Sequence, residues 1–152
     1  MSTGMRQAEL MTLEWRDVNL KDGFLILHET KNGERRRVAL SGHGLDLLKE
    51  HGKIKRIDTP LLFPSKAIPS QPIDLRKAFE NATKAANIEN FKWHDIRHCA
   101  ASYLAMNGAS LNEIAEVLGH KSLAMVKRYA HLSDSHVSSV VASMNNKLFG
   151  GV

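Results

Sequence analysis

One cysteine, Cys99, stands in the 152 residues, so the chain forms no internal disulfide and no thiolate zinc site of its own, and nothing points to an oxidising compartment. No apolar run approaches the roughly 20 residues needed to cross a bilayer, and residues 1–20 lack the basic-then-apolar pattern of a secretory leader. These absences point to a cytoplasmic protein with no membrane partner. Internal repeats, low-complexity stretches and a Walker-type Gly-Lys nucleotide loop are also missing. The four prolines (Pro60, Pro64, Pro69, Pro72) all fall between residues 53 and 72, which predicts an ordered surface loop there and leaves the rest of the chain free to form helices and strands.

What remains is 43% hydrophobic and 24% charged, a composition that supports one domain with a sizeable core. The formal charge of +5 is unevenly spread. Residues 31–56 hold eight basic side chains (Lys31, Arg35, Arg36, Arg37, Lys49, Lys53, Lys55, Arg56) against three acidic ones, while elsewhere the signs balance at 13 each. A localised basic surface is the footprint of a polyanion, nucleic acid first; a solvated face is the alternative.

The hydrophobic pattern predicts an α+β fold, mainly helical with a small three-stranded antiparallel sheet near the N-terminus. Residues 3–13 read as a turn and a short helix with Leu10 and Leu13 inward. Strands are expected around Val18–Leu20, at Phe24–Glu29 and at Arg35–Leu40. Lys31-Asn32-Gly33-Glu34 forms the hairpin between the last two, because Asn-Gly accepts the positive φ of a type I′ turn. Helices follow at 42–51 (Leu45, Leu47 and Leu48 inward), 73–87 (Leu75, Ala78, Phe79 and Ala82), 94–106, 111–118, 122–131 and 135–148. Ser110-Leu111-Asn112-Glu113 is a capping box, and Gly119 closes the helix it opens.

Three stretches invite chemical readings. In 94–106 the apolar stripe is Ile96, Cys99, Ala100, Tyr103 and Leu104, which leaves His94, Arg97, His98 and Ala101 on the opposite, polar face. His94 and His98 have the spacing of two zinc ligands on a helix. A metalloprotease, however, needs Glu where this chain has Asp95, and the Arg97 cation opposes a divalent metal, so no metal and no cofactor is expected. Residues 110–129 suggest a helix-turn-helix whose second helix carries Lys121, Lys127 and Arg128. The stripe Val137, Val140, Val141 and Met144 of the last helix is read as completing this chain's own core.

Five motifs in order, Thr3-Gly4-Met5-Arg6-Gln7-Ala8-Glu9-Leu10, Thr30-Lys31-Asn32-Gly33, His94-Asp95-Ile96-Arg97-His98, Leu118-Gly119-His120-Lys121-Ser122 and Tyr129-Ala130-His131, resemble the tyrosine recombinase (phage integrase) family. The likeness runs nearly the length of the chain. It implies a catalytic domain over residues 1–152 without the family's N-terminal core-binding domain, from a bacterium or phage. It also implies site-specific cleavage and rejoining of double-stranded DNA through a 3′-phosphotyrosyl intermediate, needing no cofactor. A DNA-binding remnant without activity is the alternative. Carried over residue by residue, Tyr129 is the nucleophile, Arg6 and Arg97 clamp the phosphate, and Lys31 protonates the departing 5′ oxygen. His94 assists the nucleophile's proton transfer, His120 bonds the phosphate, Glu9 orients the cations and His98 supports the site. Arg35, Arg36, Arg37, Lys121, Lys127 and Arg128 are expected on the DNA backbone, and a homo-oligomer on DNA through the C-terminal helix is implied.

Overall fold

The computed structural model describes residues 2–28 and 35–150. The chain falls into two compact units, Met1–Arg97 and His98–Val152.

In the first unit a short helix α1 (Gln7–Met11) precedes a three-stranded antiparallel sheet, β1 (Val18–Asn19), β2 (Phe24–Leu27) and β3 (Arg36–Ala39), in the order β1-β2-β3. Period-two alternation sorts the sheet's side chains. Leu25 and Leu27 of β2 point inward, and their register partners Val38 and Arg36 share that face, whereas Phe24 and Ile26 lie opposite Ala39 and Arg37 on the other. Leu13, Leu25, Leu27, Val38, Leu40 and Leu62 form the core. The hairpin expected to carry Lys31 lies outside the described residues.

Helix α2 (Gly42–Gly52) lays Leu45 and Leu48 against this core, but Leu47 is 56% exposed because it sits 200° around the helix from Leu45. From the end of α2 the imidazole of His51 is stacked between Trp15 and Phe63, with ring centroids 5.5 and 5.3 Å away. Its Nε2 lies 2.7 Å from the Leu62 carbonyl. The proline-rich stretch is therefore more than a surface loop. Leu61 pairs with Glu14 across an isolated bridge, the Leu62 N–H donates to the Leu13 carbonyl at 2.8 Å, and the Leu62 side chain is fully buried. Helix α3 (Arg76–Ala85) buries less than its pattern suggests. Ala78 and Ala82 are exposed, and Phe79 anchors it against Phe91 and Trp93.

Helix α4 (Trp93–Met106) begins where Asp95 accepts the Lys92 backbone N–H at 2.7 Å, a helix-starting cap. Its buried face is shifted from the expected one: Ala100 is buried and Leu104 packs on the core as expected, but residues from the expected polar side join them. Arg97, Ala101 and Ala105, at i, i+4 and i+8, are buried, while Tyr103 is 56% exposed. Most of α4 belongs to the second unit, whose core comprises Ala101, Ala105, Ile114, Ala115, Leu118, Val126 and Tyr129. Helix α5 (Leu111–Leu118) has the predicted box: Ser110 Oγ accepts the Glu113 N–H, and the Glu113 carboxylate accepts the Ser110 N–H at 2.7 Å.

The expected helix at 122–131 is instead two 3₁₀ segments, Leu123–Met125 and Lys127–Ser133. Bonds of the i to i+3 kind, Val126 N–H to Leu123 O at 3.1 Å and Tyr129 N–H to Val126 O at 2.9 Å, tighten the chain to about three residues per turn. That period puts Val126 and Tyr129 inward together, so the recognition helix of a helix-turn-helix is absent among the described residues. Helix α6 (Asp134–Phe149) follows. Its stripe does not complete the core: Val137, Val140, Val141, Met144 and Leu148 are 48–65% exposed.

Truncating the most enclosed side chain of the proline-rich stretch, Leu62→Ala, is expected to cost about 2–5 kcal/mol, read as a lowered midpoint at unchanged slope in urea unfolding.

Candidate active site

The first unit gathers one carboxylate and three guanidinium groups. Glu9 is the third residue of α1, and its side chain folds back to the helix start. Oε2 accepts the Arg6 N–H at 3.0 Å, Oε1 takes the Arg6 guanidinium at 2.6 Å, and Arg36 Nη2 lies 3.3 Å from Oε2. A carboxylate whose side chain is 6% exposed needs these donors. Burial favours its neutral form, but the bonds from the Arg6 backbone and guanidinium, with the Arg6 and Arg36 charges, outweigh it and hold the carboxyl below the usual carboxylate range. Burial pushes the Arg36 guanidinium down from its ordinary value, Glu9 opposing and the Arg6 charge adding to the effect; it stays charged at any accessible pH.

Arg36, expected on the DNA backbone, lies beside Glu9. Strand alternation turns it to the core face with Val38, where Glu9 engages it, while Arg35 and Arg37 are exposed and the Arg37 guanidinium lies 4.0 Å over the Phe24 ring. Arg97, 4% exposed, donates from Nη1 to the Gly4 carbonyl at 2.7 Å. Gly4 has φ +57°, a conformation that favours glycine. Arg97 thus grips the turn that leads into Arg6, and the first and third motifs are joined by a buried bond. His94 is exposed on the first turn of α4.

In the second unit the Tyr129 side chain is held inside the core, 6% exposed, and its hydroxyl lies 2.5 Å from Nδ1 of His98. His98, Ala101 and Ala105 share a helix face (i, i+3, i+7), and the two alanines give the phenol ring room in the cluster. His120 follows α5 through a Schellman turn: Gly119 takes φ +67° and ψ +50°, and the N–H groups of Gly119 and His120 bond back to Glu116 and Ala115 at 3.1 and 2.8 Å. Lys121, Lys127 and Arg128 are exposed. Among the described residues no group of three His, Cys, Asp or Glu side chains could hold a metal ion, and no helix is long and apolar enough to cross a membrane.

Residues 1–136 match the phage integrase family. The chain belongs to that family. It is 30% identical over 161 residues to the integrase of Salmonella phage P22, covering 99% of this chain and 41% of that one. To the tyrosine recombinase XerD of Staphylococcus saprophyticus it is 33% identical over 145 residues, covering 90% and 48%. Among solved structures, the XerH site-specific recombinase bound to its palindromic difH substrate in a post-cleavage complex superposes with a TM-score of 0.72 at 26% identity, covering 92% of this chain and 42% of that one. The chain spans between a third and a half of the length of the curated relatives it first matches. The mainly helical fold with its three-stranded sheet is that of the family's catalytic domains.

Two sequence-level assignments change in emphasis. Arg36 pairs with the buried acid, a placement that the alternation of β3 could have signalled. His98, read as a support residue, is in direct contact with the Tyr129 hydroxyl, which its helical spacing from Ala101 and Ala105 could have signalled.

Glu9→Ala leaves Arg36 without its buried counter-charge and is expected to destabilise the fold by about 3–5 kcal/mol. The pH dependence has a definite sign. A lowered folded-state pKa adds stability that is complete above the ordinary value of 4.5 and is lost as pH falls through the folded value. Urea midpoints taken from pH 7 to pH 3 should therefore drop less steeply below pH 4.5 for Glu9→Gln than for the parent.

Proposed function

We propose that this chain cleaves and rejoins double-stranded DNA site-specifically, with Tyr129 as nucleophile and a 3′-phosphotyrosyl intermediate. The observation that carries the reading is the Tyr129 hydroxyl held against an imidazole in a member of a family whose relative was captured after cleaving its DNA substrate. In-line attack by Oη on phosphorus forms the Oη–P bond and breaks the bond to the 5′ oxygen. The added charge on the non-bridging oxygens calls for fixed cations, and planar guanidinium forks fit a phosphate better than ammonium groups do. Arg6 and Arg97 take that role, each already anchored, one on Glu9 and the other on Gly4. His120 adds a hydrogen bond to the phosphate, and Lys31 protonates the 5′ oxygen. The bond energy stays in the phosphotyrosine, so a 5′ hydroxyl reseals the strand with no nucleotide cofactor.

Arg35, Arg37, Lys121, Lys127 and Arg128 are exposed and suit contacts to DNA phosphates, whose affinity falls steeply with salt. The exposed stripe of α6 suits a second copy of the chain on DNA. If so, Val140→Asp with Met144→Asp lowers the mass of the DNA-bound species in light scattering; an unchanged mass removes α6 from the assembly.

The deciding experiment incubates the chain, with chelator, on nicked suicide duplexes and supercoiled plasmid, and seeks a denaturation-resistant protein–DNA band. The parent should form it, Tyr129→Phe should not, and Arg97→Ala should lower its rate by about 10²–10³-fold. Salt-sensitive binding with no band in the parent would mark a DNA-binding module instead.

A further inference from the structure

Arg36 is the member of the Glu9 cluster to which the proposed reaction gives no role. Its Nη2 reaches Oε2 of Glu9 from β3 at 3.3 Å. Arg6 holds the same carboxylate from the helix start, with Nη1 2.6 Å from Oε1 and its backbone N–H 3.0 Å from Oε2. Side-chain exposure rises from 6% at Glu9 through 14% at Arg36 to 21% at Arg6, so the carboxylate is the enclosed member and Arg6 the most open. Among the described residues the Arg6 guanidinium is bonded through Nη1 alone, which leaves the rest of its fork for an anion.

Charge decides what that fork can do. A guanidinium paired with a carboxylate and nothing else is neutral as a pair and attracts a phosphate only weakly. Here two guanidinium groups face one carboxylate, so the three groups sum to one positive charge. We infer that Arg36 is a positioning residue for Arg6: by supplying the counter-charge to Glu9, it lets the acid orient Arg6 without cancelling the positive charge that Arg6 presents to the scissile phosphate. The inference rests on Arg6 being a phosphate clamp in the proposed reaction. Glu9 without Arg36 would give Arg6 its orientation and take away its charge; Arg6 without Glu9 would keep its charge on a mobile side chain. The second guanidinium secures both conditions, and its partial burial suits the task, because a charge enclosed beside Glu9 is screened less by salt than the exposed Arg35 and Arg37 of the same segment.

Two measurements test this on the whole chain. On the duplex that the parent cleaves, Arg36→Gln keeps a hydrogen-bond donor for Glu9 without the charge, and it should slow adduct formation by about 10–100-fold. Arg36→Lys, which keeps the charge, should recover most of the rate. Removing the acid as well, in Glu9→Gln with Arg36→Gln, should speed the adduct relative to Arg36→Gln alone, because Arg6 is then no longer neutralised. A methylphosphonate at the scissile position, where a methyl group replaces a charged non-bridging oxygen, should narrow the gap between the parent and Arg36→Gln. A loss that is equal on the two substrates, that lysine does not recover, or that the second substitution deepens marks a packing role and overturns the assignment. The second measurement needs no turnover: in carbon-13 spectra of the free protein the Glu9 carboxyl should titrate at higher pH in Arg36→Gln than in the parent, and return toward the parent in Arg36→Lys. An unmoved titration overturns the assignment whatever the kinetics. A parent chain that forms no adduct overturns the reading of the reaction instead, and the Glu9 titration then decides the pairing alone.

Discussion

The carboxylate of Glu9 is buried and would be costly there without compensation, since a lone ion of that kind is destabilised by several kcal/mol on leaving water. Three donors offset the cost: the Arg6 N–H, the Arg6 guanidinium and Arg36. The consequence runs outward from the acid. Because Oε1 and Oε2 are both engaged from the helix start, Arg6 is drawn into one geometry, and because Arg36 comes from β3, the sheet is pinned to α1. An arginine carries about 2 kcal/mol of rotamer entropy. Ordering it during folding leaves less to be lost when an anion binds, which is the advantage of a preorganised cation over a mobile one.

Arg97 meets the same demand with a neutral partner. A carbonyl has no charge to cancel, so the Gly4 oxygen fixes one guanidinium nitrogen without itself neutralising it. The second unit solves the opposite problem, how to keep a polar hydroxyl inside an apolar cluster. Two alanines on α4 admit the phenol ring and His98 satisfies its oxygen, so Tyr129 is a core residue with a partnered hydroxyl. Its neighbours Lys127 and Arg128 are thrown outward by the same three-residue period that draws Val126 and Tyr129 in.

What could be read from the sequence was mostly local. The Ser110–Glu113 box, the Gly119 terminus, the alternation of β2 and the Arg6–Glu9 spacing each depend on residues only a few positions apart, and each matches the structure. The errors came where a distant partner decides. A guanidinium on α4 looks like a solvent-facing group until a carbonyl 93 positions earlier accepts it, and the buried face of that helix is wider than its apolar stripe accordingly. Residues 122–131 suit an α-helix by composition, yet Val126, Tyr129 and Leu132 recur every third residue, a period that favours 3₁₀ geometry. The stripe of α6 follows a helical period correctly, but periodicity shows which side is apolar and not whether this chain's own core covers it.

The motifs also explain one another. Gly4 of the first holds Arg97 of the third; Glu9 of the first holds Arg36, just beyond the second; His98 of the third meets Tyr129 of the last. Each of these segments is unremarkable alone, since a capped helix, a basic strand or a tyrosine in a tight turn arises in many folds by packing. Their co-occurrence is physically costly unless every partner is present, because removing Gly4's carbonyl geometry, the Glu9 charge or the His98 lone pair strands a buried polar group elsewhere in its unit. That mutual dependence is why the set of motifs, in order, carries more information than the sum of its members, and why the fold of each unit and the chemistry it presents are specified by the same side chains.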